Sequence, residues 1–154
     1  MKLDLELVQT RFPEVARWLE LAPRAARVEL LAGPVPALSF EGVQLASRFD
    51  PRAEAELQAR LVPAGARTAT VYGPGQGELV RVLLARSELE RLTVVLLNPT
   101  LAREVFTRCA SEWLGDARVE LVTPHGLLEL TPPFAAAPAE LRLACDEAAR
   151  LRDL

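Results

Sequence analysis

A chain of 154 residues is long enough for one domain that buries roughly 68–70% of the surface its unfolded form exposes. Half of it is hydrophobic, a quarter is charged and the net charge is −3, ordinary values for a globular fold. The basic residues are scattered among acids with no basic stripe, so no nucleic-acid partner is expected. No apolar run reaches the roughly 20 residues of a membrane helix. The start, Met1 to Glu6, alternates charged and apolar residues unlike a secretory signal. A cytoplasmic location without membrane insertion is the expectation. The one histidine, His125, and the two cysteines, Cys109 and Cys145, show no clustered ligand spacing, which argues against a structural zinc site. The cysteines read as small apolar packing residues.

In chain order, residues 4–21 read as a helix with an apolar stripe of Leu5, Val8, Phe12, Val15 and Leu19, spaced by three or four. Pro13 kinks it or divides it into two short helices, and Trp18 is expected to pack inward. Val28–Leu31 and Ala37–Phe40 read as short strands of a β-hairpin around Gly33-Pro34-Val35-Pro36, with Gly42–Leu45 continuing or adding a strand. Asp50-Pro51 opens a second helix. Aspartate accepts the free amides of a first turn, and proline at the first helical position forfeits no hydrogen bond. Pro63-Ala64-Gly65 ends that helix.

An alternation that sets the fold class follows. Thr68–Tyr72 reads as a strand, 77–85 as a helix, and Thr93–Leu97 as a nearly unbroken apolar strand of the kind covered on both faces. Residues 100–114 read as a helix through Leu101, Val105, Phe106, Cys109 and Trp113, and 118–123 as a third strand. The order βαβαβ implies parallel strands joined by right-handed crossovers. Only Pro124-His125-Gly126 separate the third strand from Leu127–Leu130, too short a link for a parallel crossover, so a hairpin or bent continuation is expected there. Residues 132–138 read as a loop and 139–152 as a last helix. The expectation is an α/β, three-layer, Rossmann-like half sheet, methyltransferase-like, with an added N-terminal helix and hairpin, in a single domain over 1–154. Its parts are 1–62 (helix, hairpin and helix), the 63–123 core, and 124–154 (hairpin strand and C-terminal helix).

The chemistry-bearing feature is Tyr72-Gly73-Pro74-Gly75-Gln76-Gly77-Glu78 between the first core strand and its helix. Glycines at 73, 75 and 77 allow close backbone approach, and the helix start offers free N–H groups to an anion. Such turns hold a nucleotide or S-adenosylmethionine. A ribose-binding acid normally stands about 20 residues on, at the end of the second strand. Asn98 occupies that place, and an amide lacks the charge-assisted strength of a carboxylate. Val71 stands where methyltransferases often have an acid. The candidate cofactor residues are therefore Gly73, Gly75, Gly77 and Asn98, with an empty structural turn as the competing reading. Tyr72, Gln76 or Pro99 filling the cleft above the strand ends would favour the empty turn.

Four stretches carry a family resemblance: Arg11-Phe12-Pro13-Glu14, Leu45 to Pro51 with Glu54-Ala55, the glycine turn, and Leu96-Leu97-Asn98-Pro99. Through them the chain resembles the N-terminal region of the MptE-like proteins. That group includes 6-hydroxymethylpterin diphosphokinase-like proteins and the flagellin-glycosylation motility accessory factor proteins. The resemblance spans most of 1–115 as short patterns. It implies a Rossmann-like accessory domain, with transferase chemistry in a following domain outside these residues. Arg48, Phe49 and Asn98 depart from the family pattern, in which a Ser-Lys-Tyr-Asp-Pro-like stretch and a strand ending in Glu-Pro are usual.

Thr131-Pro132-Pro133-Phe134 resembles the Asn/Asp-Pro-Pro-Tyr/Phe motif of amino-group methyltransferases, but threonine lacks the amide oxygen that motif uses. His125, between proline and glycine, reads as an exposed bystander. The only lysine is Lys2, which excludes a lysine-bearing phosphate loop, and no Gly-x-Ser-x-Gly elbow is present. Glu54/Glu56 and Glu88/Glu90 read as solvated helix charges. No catalytic residue and no metal ligand emerges. The leading expectation is a non-catalytic or degenerate binding and interaction module, accessory to surface-glycan or flagellin modification, whose open sheet edge invites a protein partner or a second copy. The alternatives are a small S-adenosylmethionine-dependent methyltransferase and a nucleotide-sugar-binding accessory domain.

Overall fold

The computed structural model describes residues 2–24, 27–32, 37–45, 50–124 and 133–136. The expectations for the 33–36 turn, His125, the strand at 127–130, Thr131, Cys145 and the helix at 139–152 lie outside them. Pro13 divides the first helix: α1 spans Lys2–Arg11 and α2 spans Pro13–Glu20. Trp18 and Phe12, half-buried, pack against the core. The hairpin forms as β1 (Val28–Leu31) and β2 (Ala37–Phe40), antiparallel with Leu30 opposite Leu38, and β3 (Val43–Gln44) pairs with β2. Helix α3 (Pro51–Ala59) starts as its sequence dictates, with Asp50 accepting the Ala53 amide at 3.0 Å.

The core strands are β4 (Thr68–Tyr72), β5 (Arg91–Val95), β6 (Val119–Val122) and β7 (Phe134–Ala136). Helix α4 (Glu78–Leu84) links the first two; α5 (Pro99–Arg108) and a 3-10 turn at Glu112–Gly115 lead to the third. All pairings are parallel and the spatial order is β6-β5-β4-β7. The result is a parallel four-stranded sheet flanked by helices, of the Rossmann and methyltransferase-like class.

Strand β7 corrects two expectations. Residues 134–136 belong to a strand and not to a loop, and the sheet holds a fourth parallel strand beyond the βαβαβ unit. The strand is short and has proline on its entry side. It forms because β4 offers its free edge: the Thr70 amide donates to Pro133 O at 3.0 Å, and Val71 lies opposite Ala135. Pro133-Phe134 thereby enters the fourth strand, whereas the methyltransferase motif leaves it. The 100–114 helix also ends early, at Arg108, because Cys109 turns extended (φ −115°, ψ 143°).

One buried cluster runs through the molecule. It joins Val8, Val15 and Leu19 of the N-terminal helices to Leu38 and Phe40 of the hairpin, to Leu79, Val80 and Leu83 of α4, and to Leu101, Val105 and Phe106 of α5. Side chains fasten the N-terminal segment to this core. Asp4 Oδ2 accepts the buried Ser111 amide (3.1 Å), and Thr100 donates to Pro23 O (2.7 Å).

Arginines close the helix ends, where the last carbonyls have no helical partner. Arg103 donates to Leu19 O and Ala22 O at the end of α2. Arg86 donates to Ala59 O and Val62 O at the end of α3. Arg118 donates to Leu84 O at the end of α4. The guanidinium fork suits this role because it can reach two carbonyls from one rigid plane.

Candidate functional site

In the order β6-β5-β4-β7, successive connections run to one side from β4 to β6, and β7 lies on β4's other side. The β4–β7 boundary is therefore a topological switch point, where open α/β sheets form their ligand crevices beyond the carboxyl ends of the strands. The glycine turn leaves β4 at that point.

All three glycines take left-handed backbone: φ is +86° at Gly73, +55° at Gly75 and +98° at Gly77. The turn is closed on itself, since the Gly77 amide donates to Pro74 O (2.8 Å), and it is tied to the neighbouring strand by Gly73 N–H to Val95 O (2.9 Å). Gly77 has a second reason to be glycine. A Cβ there would stand 2.7 Å from Trp113 Nε1 and 3.3 Å from the adjacent ring carbon, a distance that side chains do not tolerate. Its need is for packing of the α4 start against an indole that is 3% exposed. The Trp113 N–H has no hydrogen-bond partner among the described residues.

The polar side chains of the turn itself, Gln76 and Glu78, are engaged by the protein. Gln76 Oε1 accepts the Leu38 amide of β2 (2.8 Å), so the hairpin sheet is fastened over the turn. Helix α3 lies on the other side of the loop. The space left between Leu45, α3 and residues 74–79 is about 20 Å³, of the size of one water. Glu78 sits in the first turn of α4, where a phosphate's charge would be favoured, and pairs with Arg81 (2.8 Å). Tyr72 is 2% exposed, with its ring edge-on to Phe134 (centroids 5.7 Å apart, planes at 83°).

Asn98 lies after β5, as expected, but as the N-cap of α5: its Oδ1 accepts the Leu101 amide at 3.1 Å. The sequence signal for this was present. Asn98-Pro99 repeats the cap-then-proline pattern of Asp50-Pro51. The structure thus brings Gly73, Gly75 and Gly77 into one turn and places Asn98 at the next strand end, each with a protein partner or packing constraint of its own.

Behind the turn, Arg81 is the residue that sequence reasoning missed. It donates to both oxygens of Glu112 (2.6 and 3.2 Å), to Glu78 and to Ala110 O. The hydrogen bond from Arg81 holds the Glu112 carboxyl below its usual range, and the same bond raises the guanidinium's pKa. The ion pair is shared between α4 and the turn before β6, and it ties the two together. Burial pushes the half-buried Cys109 thiol up, which lowers its thiolate fraction.

No family model and no curated protein matches the sequence. Solved structures do. The structure of MAf glycosyltransferase from Magnetospirillum magneticum AMB-1 superimposes with a TM-score of 0.56 at 13% identity, covering 79% of this chain and 27% of that one. Spermidine synthase in complex with the transition state analogue AdoDATO gives 0.50 at 17% identity, covering 66% of this chain and 37% of that one. Spermidine synthase from Thermotoga maritima gives 0.50 at 17%, covering 66% and 39%. These likenesses are of fold. The chain spans between about a quarter and two fifths of the structures it matches. No described helix is long and apolar enough to cross a membrane.

Proposed function

We propose that this chain is a non-catalytic, Rossmann-like interaction module of MptE-like type, accessory to surface-glycan or flagellin modification. One observation carries the reading. The groups that would meet a cofactor at the glycine turn already serve the protein: Gln76 holds β2, Asn98 caps α5, and Gly77 seats Trp113. About 20 Å³ is open between the turn and α3, which leaves S-adenosylmethionine no room on that side, and the Asn98 oxygen a ribose would use already accepts the Leu101 amide. The link to glycan modification is supported by the four stretches of MptE-like resemblance. It is also supported by the fold likeness to a MAf glycosyltransferase over 79% of the chain.

The second reading, a small S-adenosylmethionine-dependent methyltransferase, is favoured by the fourth parallel strand, which supplies the switch point that a βαβαβ unit alone lacks. A nucleotide-sugar site would use the same turn. Thermal melting with S-adenosylmethionine, S-adenosylhomocysteine, nucleotides and nucleotide sugars separates the readings. A ligand at about 100 times its Kd adds about 2.7 kcal/mol, a shift of several degrees at this size. A flat response is expected. A shift that disappears in Gly75→Arg would replace the interaction module with a working cofactor site.

A further inference from the structure

We infer that the outer edge of β6, which no described strand covers, receives an extended, basic polypeptide segment as an added strand. This rests on the interaction-module reading and names the class of partner. The ladder fixes which groups face outward. Leu92 N–H donates to Arg118 O (2.9 Å) and Leu96 N–H to Val122 O (3.0 Å), so the even-numbered residues of β6 turn their main-chain groups to β5. The odd-numbered ones turn theirs away.

Val119 is already satisfied on that outer side. Its amide donates to Asp116 O (3.1 Å) and its carbonyl accepts from Arg11 (3.2 Å). The next two outward positions, Leu121 and Thr123, have no main-chain partner among the described residues. Donors and acceptors two residues apart along an edge match another strand's backbone, with a repeat of about 6.6–6.8 Å. Beside them runs a groove of about 400 Å³ between residues 11–15 and 120–123.

Charge selects the occupant. Arg11 stacks over the Phe12 ring (4.8 Å) and donates to Leu114 O, Asp116 O and Val119 O, so its donors are spent inside the protein. Glu14 and Glu120 are exposed on the groove wall, and neither forms an ion pair with a described residue. Arg11 keeps its charge, since its acceptors are neutral carbonyls, but two carboxylates against one guanidinium leave the charge an incoming strand meets net negative. A second copy paired through β6 would add two more carboxylates to the same edge, and like charges across strands are unfavourable. A segment carrying Lys or Arg at alternate positions gains where a second copy loses. Pro124 follows directly, so the added strand needs only a few residues of pairing.

The probe is a fluorescein-labelled nonapeptide of alternating valine and lysine, added to the whole 154-residue chain. Two control peptides accompany it: the valine-glutamate counterpart, and the lysine peptide with alternate backbone amides methylated. Saturable anisotropy is expected with the lysine peptide, with about tenfold weaker binding of the glutamate peptide and about tenfold loss on backbone methylation. Amide exchange at Leu121 and Thr123 slows in the complex, and Glu14→Lys with Glu120→Lys reverses the peptide preference in a chain that still melts cooperatively, a few degrees lower because Glu14 lies in the first turn of α2. Absence of binding, equal binding of the methylated peptide, unprotected amides at 121 and 123, or self-association through β6 by sedimentation each overturns the assignment. If peptide binding fails while the cofactor melts stay flat, only the β6 assignment falls; a cofactor shift removes the interaction-module reading itself.

Discussion

The two faces of the parallel sheet are built to different specifications. One carries Ala69, Val71, Leu92, Val94, Val119, Leu121 and Ala135, all within 4% exposure, in the cluster with α4 and α5. The other carries Thr70 and Tyr72, then Thr93 and Val95, then Glu120 and Val122. It grades from buried at Thr70, Tyr72 and Val95, through half-buried Thr93 and Val122, to exposed at Glu120. The first face holds the fold together through close-packed aliphatic contact. The second loses that character toward β6, the outermost described strand, so stability and surface chemistry are divided across a sheet one residue thick.

The largest expected effect tests that division. Leu92→Ala should cost about 2–5 kcal/mol, because residue 92 is fully buried on the packed face. Val122→Ala, half-buried on the other, should cost under about 1 kcal/mol. Denaturant titration of both variants would break the comparison if the costs were equal. Next, Gly77→Ala should destabilise by about 1–3 kcal/mol through left-handed backbone and the indole contact. Trp113→Phe in the same chain should recover part of that loss on melting, because it removes the indole nitrogen that meets the new Cβ. No recovery would mean the strain lies in the backbone alone.

Smaller effects sharpen the picture at the strand ends. Asn98→Ala should cost about 1 kcal/mol as a lost helix cap, while Asn98→Asp should be near neutral because a carboxylate caps as well. Equal losses in the two variants by thermal melting would argue against capping as the main role. Last, Arg118 donates to both oxygens of Asp116 (3.0 and 2.8 Å), and that bond holds the carboxyl below its ordinary 3.8. For a lowered carboxyl the contribution is present above pH 3.8 and is lost as pH falls through the folded value. Asp116→Asn should therefore cost up to about 1 kcal/mol at neutral pH, with the gap to the parent closing in acid. A gap that persisted at low pH would assign the effect to packing.

Local signals read well and distant ones did not. Asp50-Pro51, the Thr68–Tyr72 strand and both hairpin strands were legible because caps, prolines and alternation act within a few residues. Strand β7 was not, since three residues after two prolines become a strand only by pairing with β4, more than 60 positions earlier. The glycine turn was legible as a turn. Its constraints were not: Trp113 and Leu38 reach it from 36 and 38 residues away. Asn98 shows a different failure. Its cap signature was local and visible, yet the expected ribose role drew the reading away from it.

The arginine clamps carry a consequence for handling the protein. All but one of its 18 lysine and arginine residues are arginine, and those at 11, 86, 103 and 118 grip backbone carbonyls across long sequence separations. Among the side chains of this sequence, amine-directed labels and cross-linkers therefore have one lysine to react with, Lys2, and none of the clamps. Guanidine-directed dicarbonyl reagents would modify exposed arginines such as Arg52 and Arg67 first and would unfasten helix ends only once they reach the half-buried clamps.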